Sequence, residues 1–147
     1  FILFLAAILT LGAVASHAFF SFGSHETVEA VDGIVSFDAE EFDDHKARYY
    51  QLEHDGQTIR FFVIKSADGV IRAAFDACDV CWKSYKGYSQ DGEFMVCNNC
   101  GRRFHSTMVN EVSGGCNPAP LTREVKDGKL VIALEDILNG AGYFRGL

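Results

Sequence analysis

Proline is almost missing from this sequence, which has only Pro118 and Pro120 among its 147 residues. It has no internal repeat, no low-complexity run and no boundary that would mark a second folded domain. It also lacks a surplus of basic residues, because its net charge is −7 and its pI is about 5.1. The length suits one domain with its own core, and the negative charge argues against nucleic acid as a partner.

The patterns of common hydrolases and transferases are missing too. The sequence has no phosphate-binding glycine loop, no Ser/His/Asp arrangement and no carboxylate pair suited to hydrolysis. It therefore favours a non-enzymatic electron-transfer or metal-binding protein, although an enzymatic role is left open.

Residues 1–20 lack charge altogether, and a helix of that length would span about 30 Å, the thickness of a bilayer core. They fit a membrane anchor, a signal peptide cleaved after the A-x-A-like ASHA, or a helix that assembles a filament. We expect an anchor or assembly helix at 1–20, a linker at 21–27 and a metal-binding β domain at 28–147. The expected location is the cell envelope, with the domain outside the cytoplasm, or the extracellular space.

The remainder predicts a mainly β fold. Asp-Gly pairs at residues 55–56, 68–69 and 127–128 are typical of turns between strands, and apolar side chains alternate along Ile59, Phe61 and Val63. We expect an antiparallel meander over residues 40–78 and a hairpin about Asp127. Residues 27–38 predict a strand pair or a bulged strand about residues 32–33.

All five cysteines lie between residues 78 and 116. Cys78/Cys81 and Cys97/Cys100 are two C-x-x-C pairs, a spacing that directs two thiolates to one point. The fifteen residues between the pairs read as strand, turn and strand, so the pairs would face each other. A metal or cluster site is favoured over a redox-active dithiol or structural disulfides. Cys116 is expected as an accessory ligand, held by the extended segment that the two prolines impose.

The identity of the metal is left open. A zinc ion bound by four cysteines would be closed and redox-silent, whereas a preformed iron–sulfur cluster would protect its thiolates outside the cytoplasm. An iron–sulfur cluster is the first expectation, and zinc or another ion is the alternative. His105 is expected in the second shell, as are Arg102 and Arg103, which would raise the reduction potential of an anionic cluster or attract an anionic partner.

Four segments carry a resemblance to a known family: FFVIK, GVIRAAFDACDVC, EFMVCNNCGRRF and GGCNPAPL. They resemble the FtrD-like family of membrane-associated iron–sulfur proteins over roughly residues 33–134. The resemblance implies a membrane-tethered, extracytoplasmic domain that is associated with iron-uptake permeases.

The order of strands and cysteines is also similar to that of Rieske domains. Val80, followed by Cys81, and Cys100 stand where a Rieske protein has its two histidines. All-thiolate ligation would give a lower reduction potential than the Rieske ligand set. We therefore expect a small antiparallel sandwich, Rieske-like or rubredoxin-like, behind an N-terminal apolar α-helix.

The expected function is to hold a metal centre, iron–sulfur first, for electron transfer or for iron uptake and handling outside the cytoplasm. The alternatives are a structural module with a four-cysteine zinc site and a subunit of a metal-decorated filament. The expected partners are the membrane or further copies of the chain through residues 1–20, an iron permease and a redox partner.

Overall fold

The computed structural model describes residues 25–147 as ten short strands with one short α-helix. The strands are Glu26–Val28 (β1), Ile34–Asp38 (β2), Arg48–His54 (β3), Gln57–Lys65 (β4), Ile71–Phe75 (β5), Tyr88–Asp91 (β6), Phe94–Cys97 (β7), Arg103–His105 (β8), Glu124–Lys126 (β9) and Lys129–Ala133 (β10). The α-helix is Leu134–Leu138 (α1), and the 3₁₀ helices are Ala39–Phe42, Trp82–Ser84, Ser106–Met108 and Ala141–Phe144. The mainly β prediction is confirmed for this part of the chain.

The central layer is a four-stranded sheet in the order β1-β3-β4-β5. β3, β4 and β5 form the predicted antiparallel meander, with Asp55 and Gly56 at the first turn. Both turn residues have positive φ, 49° and 76°, as a tight two-residue hairpin turn requires. β1 adds to the free edge of β3 in parallel, so the sheet is not wholly antiparallel.

β4 is buried on both faces because the central sheet is covered on both sides. Phe61 and Val63 pack into a large apolar cluster on one face, while Phe62 and Ile64 pack into a second cluster on the other. Successive strand residues point to opposite faces, so a continuous apolar run such as FFVI fits a strand between two layers.

The two covering layers are three-stranded sheets. The sheet β2-β10-β9 supplies Val35, Leu130 and Ile132 to the larger cluster. The sheet β6-β7-β8 supplies Met95 and Cys97 to the smaller cluster, which also contains Cys78 and Cys116. The fold is thus three stacked small sheets, and a Rieske-like layout is not shown.

The turn predicted at residues 32–33 is present, with Asp32 at φ 51° and Gly33 at φ 76°. The predicted pairing of its flanking strands is wrong, because the two sides meet only in the bridge between Val31 and Ile34. β1 pairs with β3 and β2 with β10. The chain therefore crosses between layers at this turn, which lets Val35 reach the core opposite Ile132.

The predicted helix at 1–20 lies outside the described residues, as does most of the predicted linker at 21–27. Among residues 25–147, no helix has both the length and the apolar character needed to cross a bilayer.

A buried arginine fixes the loop that follows β8, the last strand of the sheet β6-β7-β8. Arg72 is only 4% exposed, and its guanidinium donates to Asp68 at 2.7 Å, to Glu111 at 2.5 Å and to the carbonyl of Val109 at 3.3 Å. A buried charge is stable only when it is paired and hydrogen-bonded. Arg72 therefore ties the start of the loop that carries Cys116 to β5.

The same network predicts a pH dependence of stability. Hydrogen bonds from Ser66 and then Arg72 lower the pKa of Asp68 to about 2. A carboxyl whose folded pKa lies below its unfolded value of about 3.9 stabilises the fold above that pH, and the contribution is lost as pH falls through the folded pKa. Asp68→Asn should therefore be less stable than the wild type at neutral pH, and the difference in urea midpoint should vanish toward about pH 2. A difference that stayed constant with pH would contradict this assignment.

Candidate metal centre

The five cysteines, which we call the cysteine centre, converge at one edge of the smaller apolar cluster. Their Sγ atoms form two groups of three, and within each group all the sulfurs lie within 4.8 Å of one another. One group is Cys78, Cys81 and Cys97, and the other is Cys81, Cys100 and Cys116. All five are free thiols in the structure. Cysteines that are far apart in the sequence are thus brought to one place.

The first C-x-x-C pair follows the end of β5. Cys78 is 1% exposed, and the backbone N–H of Cys81 donates to its Sγ at 3.1 Å. The 3₁₀ helix Trp82–Ser84 begins directly after Cys81, whose carbonyl accepts from the N–H of Ser84. The turn therefore presents two sulfurs on the same side and stabilises negative charge on Cys78.

The second pair lies at the end of β7, in a turn closed by backbone hydrogen bonds. The N–H of Gly101 donates to the carbonyl of Cys97 at 2.8 Å, and the N–H of Cys97 donates to the carbonyl of Arg102 at 2.9 Å. Gly101 has φ 74°, a conformation in which glycine is preferred. Backbone N–H groups of this turn also favour the thiolate form of Cys97, against the effect of burial on its pKa.

Cys116 reaches the centre through the proline-containing segment after it. The N–H of Ala119 donates to the carbonyl of Ala77 at 2.9 Å, and Pro120 forms an antiparallel bridge with Ala74. The expected extended segment is therefore present, and it runs beside β5 just before Cys78. This brings the Sγ atoms of Cys116 and Cys81 to 4.0 Å.

The thiols have unequal acidity. A backbone N–H from Arg102 lowers the pKa of Cys100 to about 7, and this cysteine is exposed. Burial raises the pKa of Cys97 to about 11 and that of Cys116 to about 12, the latter with help from Cys100 and Cys81. Buried thiols are costly to ionise without a cation, so a metal ion would supply the missing stabilisation.

Tyr88 contacts all three buried cysteines, Cys78, Cys97 and Cys116. Its hydroxyl donates to the carbonyl of Cys116 at 2.6 Å, and its backbone pairs with Cys97 across β6 and β7. Burial raises the pKa of its phenol, as does its hydrogen bond with Cys78. The tyrosine therefore stays neutral and serves as a hydrogen-bond donor to the centre.

Asp76 is a buried residue of the site that the sequence patterns did not single out. It is 7% exposed, and its carboxylate accepts from the N–H of Tyr88 at 2.7 Å and lies 2.9 Å from Nε2 of His25. Gly87 leaves the space that the carboxylate occupies, because a Cβ at this position would lie 2.3 Å from it. The signal in the sequence was an acidic residue directly after the buried strand IRAAF, two positions before Cys78.

The three residues expected in the second shell differ in position. Arg102 contributes its backbone to the turn of Cys97 and Cys100. Arg103 instead pairs with Asp91 at 2.5 Å and covers the ring of Phe94, while His105 bonds Thr107 at 2.9 Å and stacks edge-on against the same ring.

Phe94 is at the opposite end of β7 from Cys97, three residues or about 10 Å away. The described contacts of Arg103 and His105 therefore lie along the hairpin rather than at the sulfurs. A role for either residue next to the metal stays a prediction.

The donor set fits a thiophilic metal. Thiolate sulfur selects zinc, copper(I) or iron, and a four-coordinate sulfur environment is typical of zinc and iron–sulfur sites. Cys78 and Cys97 lie inside the apolar cluster, which excludes water, whereas Cys100 reaches the surface. The arrangement is that of a protein that binds a metal or cluster through cysteine.

The chain belongs to the family of membrane iron–sulfur containing, FtrD-like proteins, whose sequence model matches residues 42–144. The match includes the five cysteines and the strands β3 to β10, and it leaves out β1 and β2. It confirms the resemblance noted in the sequence over a range shifted toward the C-terminus. No curated protein and no solved structure matches the chain.

Proposed function

We propose that the cysteine centre binds an iron–sulfur cluster that transfers electrons, and that this electron transfer is part of iron uptake or handling at the membrane. The observation that carries the proposal is the convergence of five free thiols in two overlapping groups, with a backbone N–H hydrogen bond to the sulfur of Cys78. The family description, an iron–sulfur containing membrane protein, supports iron as the metal. The proposed ligands are Cys78, Cys81, Cys97 and Cys100, with Cys116 beside them.

The environment of the sulfurs supports electron transfer. Backbone hydrogen bonds to sulfur and a buried setting are the features by which proteins tune the reduction potential of such centres. Tyr88 donates at the inner side, and Cys100 is exposed at the outer side. An electron would therefore enter or leave at the Cys100 edge, where a redox partner can approach.

The family's membrane association and residues 1–20 support a place at the cell envelope. We propose that the domain faces outward and acts with an iron permease, the partner that the resemblance implies. In this arrangement the chain changes the redox state of iron, or supplies electrons, next to the permease.

A structural zinc site is the second candidate. It is favoured by the closed backbone turns around Cys97 and Cys100, which form small rigid loops of the kind that hold zinc. Such a site would contribute to folding and would carry no electrons.

Metal analysis of the full chain, purified without oxygen, separates the two candidates. We expect iron with acid-labile sulfide and a visible absorption that bleaches reversibly on reduction with dithionite. Asn99→Ser, an exposed change between two cysteines, should leave the iron content and the spectrum unchanged. A colourless protein that contains zinc would overturn the electron-transfer proposal.

A further inference from the structure

The sulfurs of the cysteine centre are not arranged as one group of four with a spare fifth. In the described part of the chain they form two groups of three, Cys78/Cys81/Cys97 and Cys81/Cys100/Cys116, and Cys81 is the member common to both. The second C-x-x-C pair is therefore divided, with Cys97 in one group and Cys100 in the other. The first pair stays together in one group, and its Cys81 also belongs to the other group.

Each group has the dimensions of a single-ion site. Metal–sulfur bonds of about 2.3 Å at tetrahedral angles place two sulfurs about 3.8 Å apart on one ion. The separation of the Cys81 and Cys116 sulfurs is 4.0 Å, and the other pairs within a group are inside 4.8 Å. Small adjustments of side chains are enough to bring three sulfurs onto one ion in either group.

The two groups also lie at different depths. Cys78 and Cys97 are 1% and 2% exposed, whereas Cys100 is at the surface and Cys116 is 9% exposed. Cys81 is half-buried between them. The two groups are thus an inner and an outer position that meet at the Cys81 sulfur.

Charge favours filling both positions. Five thiolates around one divalent ion leave a net charge of −3, and five around two divalent ions leave −1, taking each thiolate as −1 and each ion as +2. Uncompensated charge is expensive in a partly buried site, and the nearby Asp76 carboxylate adds negative charge that His25 offsets only when protonated.

We propose that the centre has two metal positions that share the Cys81 thiolate, an inner one at Cys78, Cys81 and Cys97 and an outer one at Cys81, Cys100 and Cys116. The inference rests on the proposed function only in taking the cysteines as metal ligands. Each ion has three protein sulfurs, which leaves coordination positions for a small non-protein ligand. Cys116 is then a direct ligand of the outer ion, as the other four cysteines are of their ions. The outer ion is the one that faces solvent.

Cobalt(II) titration of the reduced, metal-free full chain tests the number of positions. Thiolate-to-cobalt charge-transfer absorption should rise to a break at two equivalents in the wild type and in Asn99→Ser. Cys116→Ser and Cys78→Ser should each break at one equivalent, because each removes a ligand of one position only. Cys81→Ser should weaken cobalt binding at both positions, by more than about 100-fold, since removal of an outer-shell partner alone costs 10–100-fold.

Electron paramagnetic resonance of the wild type tests the shared sulfur without relying on a variant. The first equivalent of cobalt should give a high-spin signal, and the second should reduce it, because a bridging thiolate couples the two spins. A break at one equivalent, or a signal that doubles at the second, would overturn the proposal.

Iron analysis is a separate measurement, so two cobalt positions in a zinc protein would overturn the proposed function alone. An iron–sulfur protein with one cobalt position would overturn only this inference.

Discussion

Cys97→Ser is expected to strip the protein of most of its metal and to lower its stability sharply. Cys97 is 2% exposed and closes the inner group with Cys78 and Cys81. A hydroxyl is a poor ligand for a thiophilic ion, so affinity should fall by more than about 100-fold. Because binding is linked to folding, a loss of that size removes about 3 kcal/mol of stabilisation under conditions that saturate the wild type. Metal content after desalting and urea unfolding of the loaded proteins would measure both effects.

The same pair of proteins without metal provides the control. Thiol and hydroxyl differ little in size, so the metal-free variant should unfold within about 1–2 kcal/mol of the metal-free wild type, the cost of a small packing and polarity change. Asn99→Ser should match the wild type in both states. Full metal retention by Cys97→Ser would show that Cys97 is not a ligand.

Gly87→Ala should destabilise the fold by about 3 kcal/mol, through two separate costs. Gly87 has φ 61°, a left-handed conformation that costs a residue with a Cβ about 1–2 kcal/mol. The added methyl would also lie 2.3–2.4 Å from the Asp76 carboxylate. That carboxylate is held by the N–H of Tyr88 and by His25, so moving it would break buried hydrogen bonds or shift β6, at about 1–3 kcal/mol.

Gly92→Ala is the matched control at the other end of β6. Gly92 has nearly the same φ, 59°, but nothing lies within 4 Å of the point that an added Cβ would occupy. It should lose only the conformational cost, about 1–2 kcal/mol. Urea unfolding of both variants measures the difference. Equal losses would mean that Asp76 yields to the methyl group and that the close approach is unimportant.

The local features of the fold followed from the sequence, because they depend on residues that are close along the chain. The Asp55-Gly56 and Asp127-Gly128 turns join β3 to β4 and β9 to β10, as the Asp-Gly pairs indicated. The turn at Asp91 lies between the two C-x-x-C pairs, as their spacing indicated. In each case a turn with positive φ determines which strands become neighbours.

What the sequence did not reveal depends on contacts between distant residues. β1 joins the edge of β3 in parallel, and no local pattern specifies that pairing. The closeness of Cys116 to Cys81 depends on residues 119–121 lining up beside β5, across a long loop that Arg72 and Asn110 fasten. The burial of Asp76 depends on Gly87 and on His25, 51 residues earlier in the chain.

His105 shows how a hairpin turns closeness in the sequence into distance along a strand. It follows Cys100 by five residues, which suggested proximity to the sulfurs. The chain reverses at Gly101 and returns along β8, so His105 pairs opposite Phe94 at the distal end of β7. A separation of five residues therefore becomes a distance of about the length of the strand.

The contact between His25 and Asp76 also limits how far the cysteine centre can lie from residues 1–20. It attaches the first described residue two positions from Cys78, so the chain leaves the domain at the end where the centre lies. Residues 21–24 can extend by at most about 14 Å. If residues 1–20 are held in a membrane or an assembly, the centre has only a short tether. A partner in the same surface would then meet it at a high effective concentration, without free diffusion of either protein.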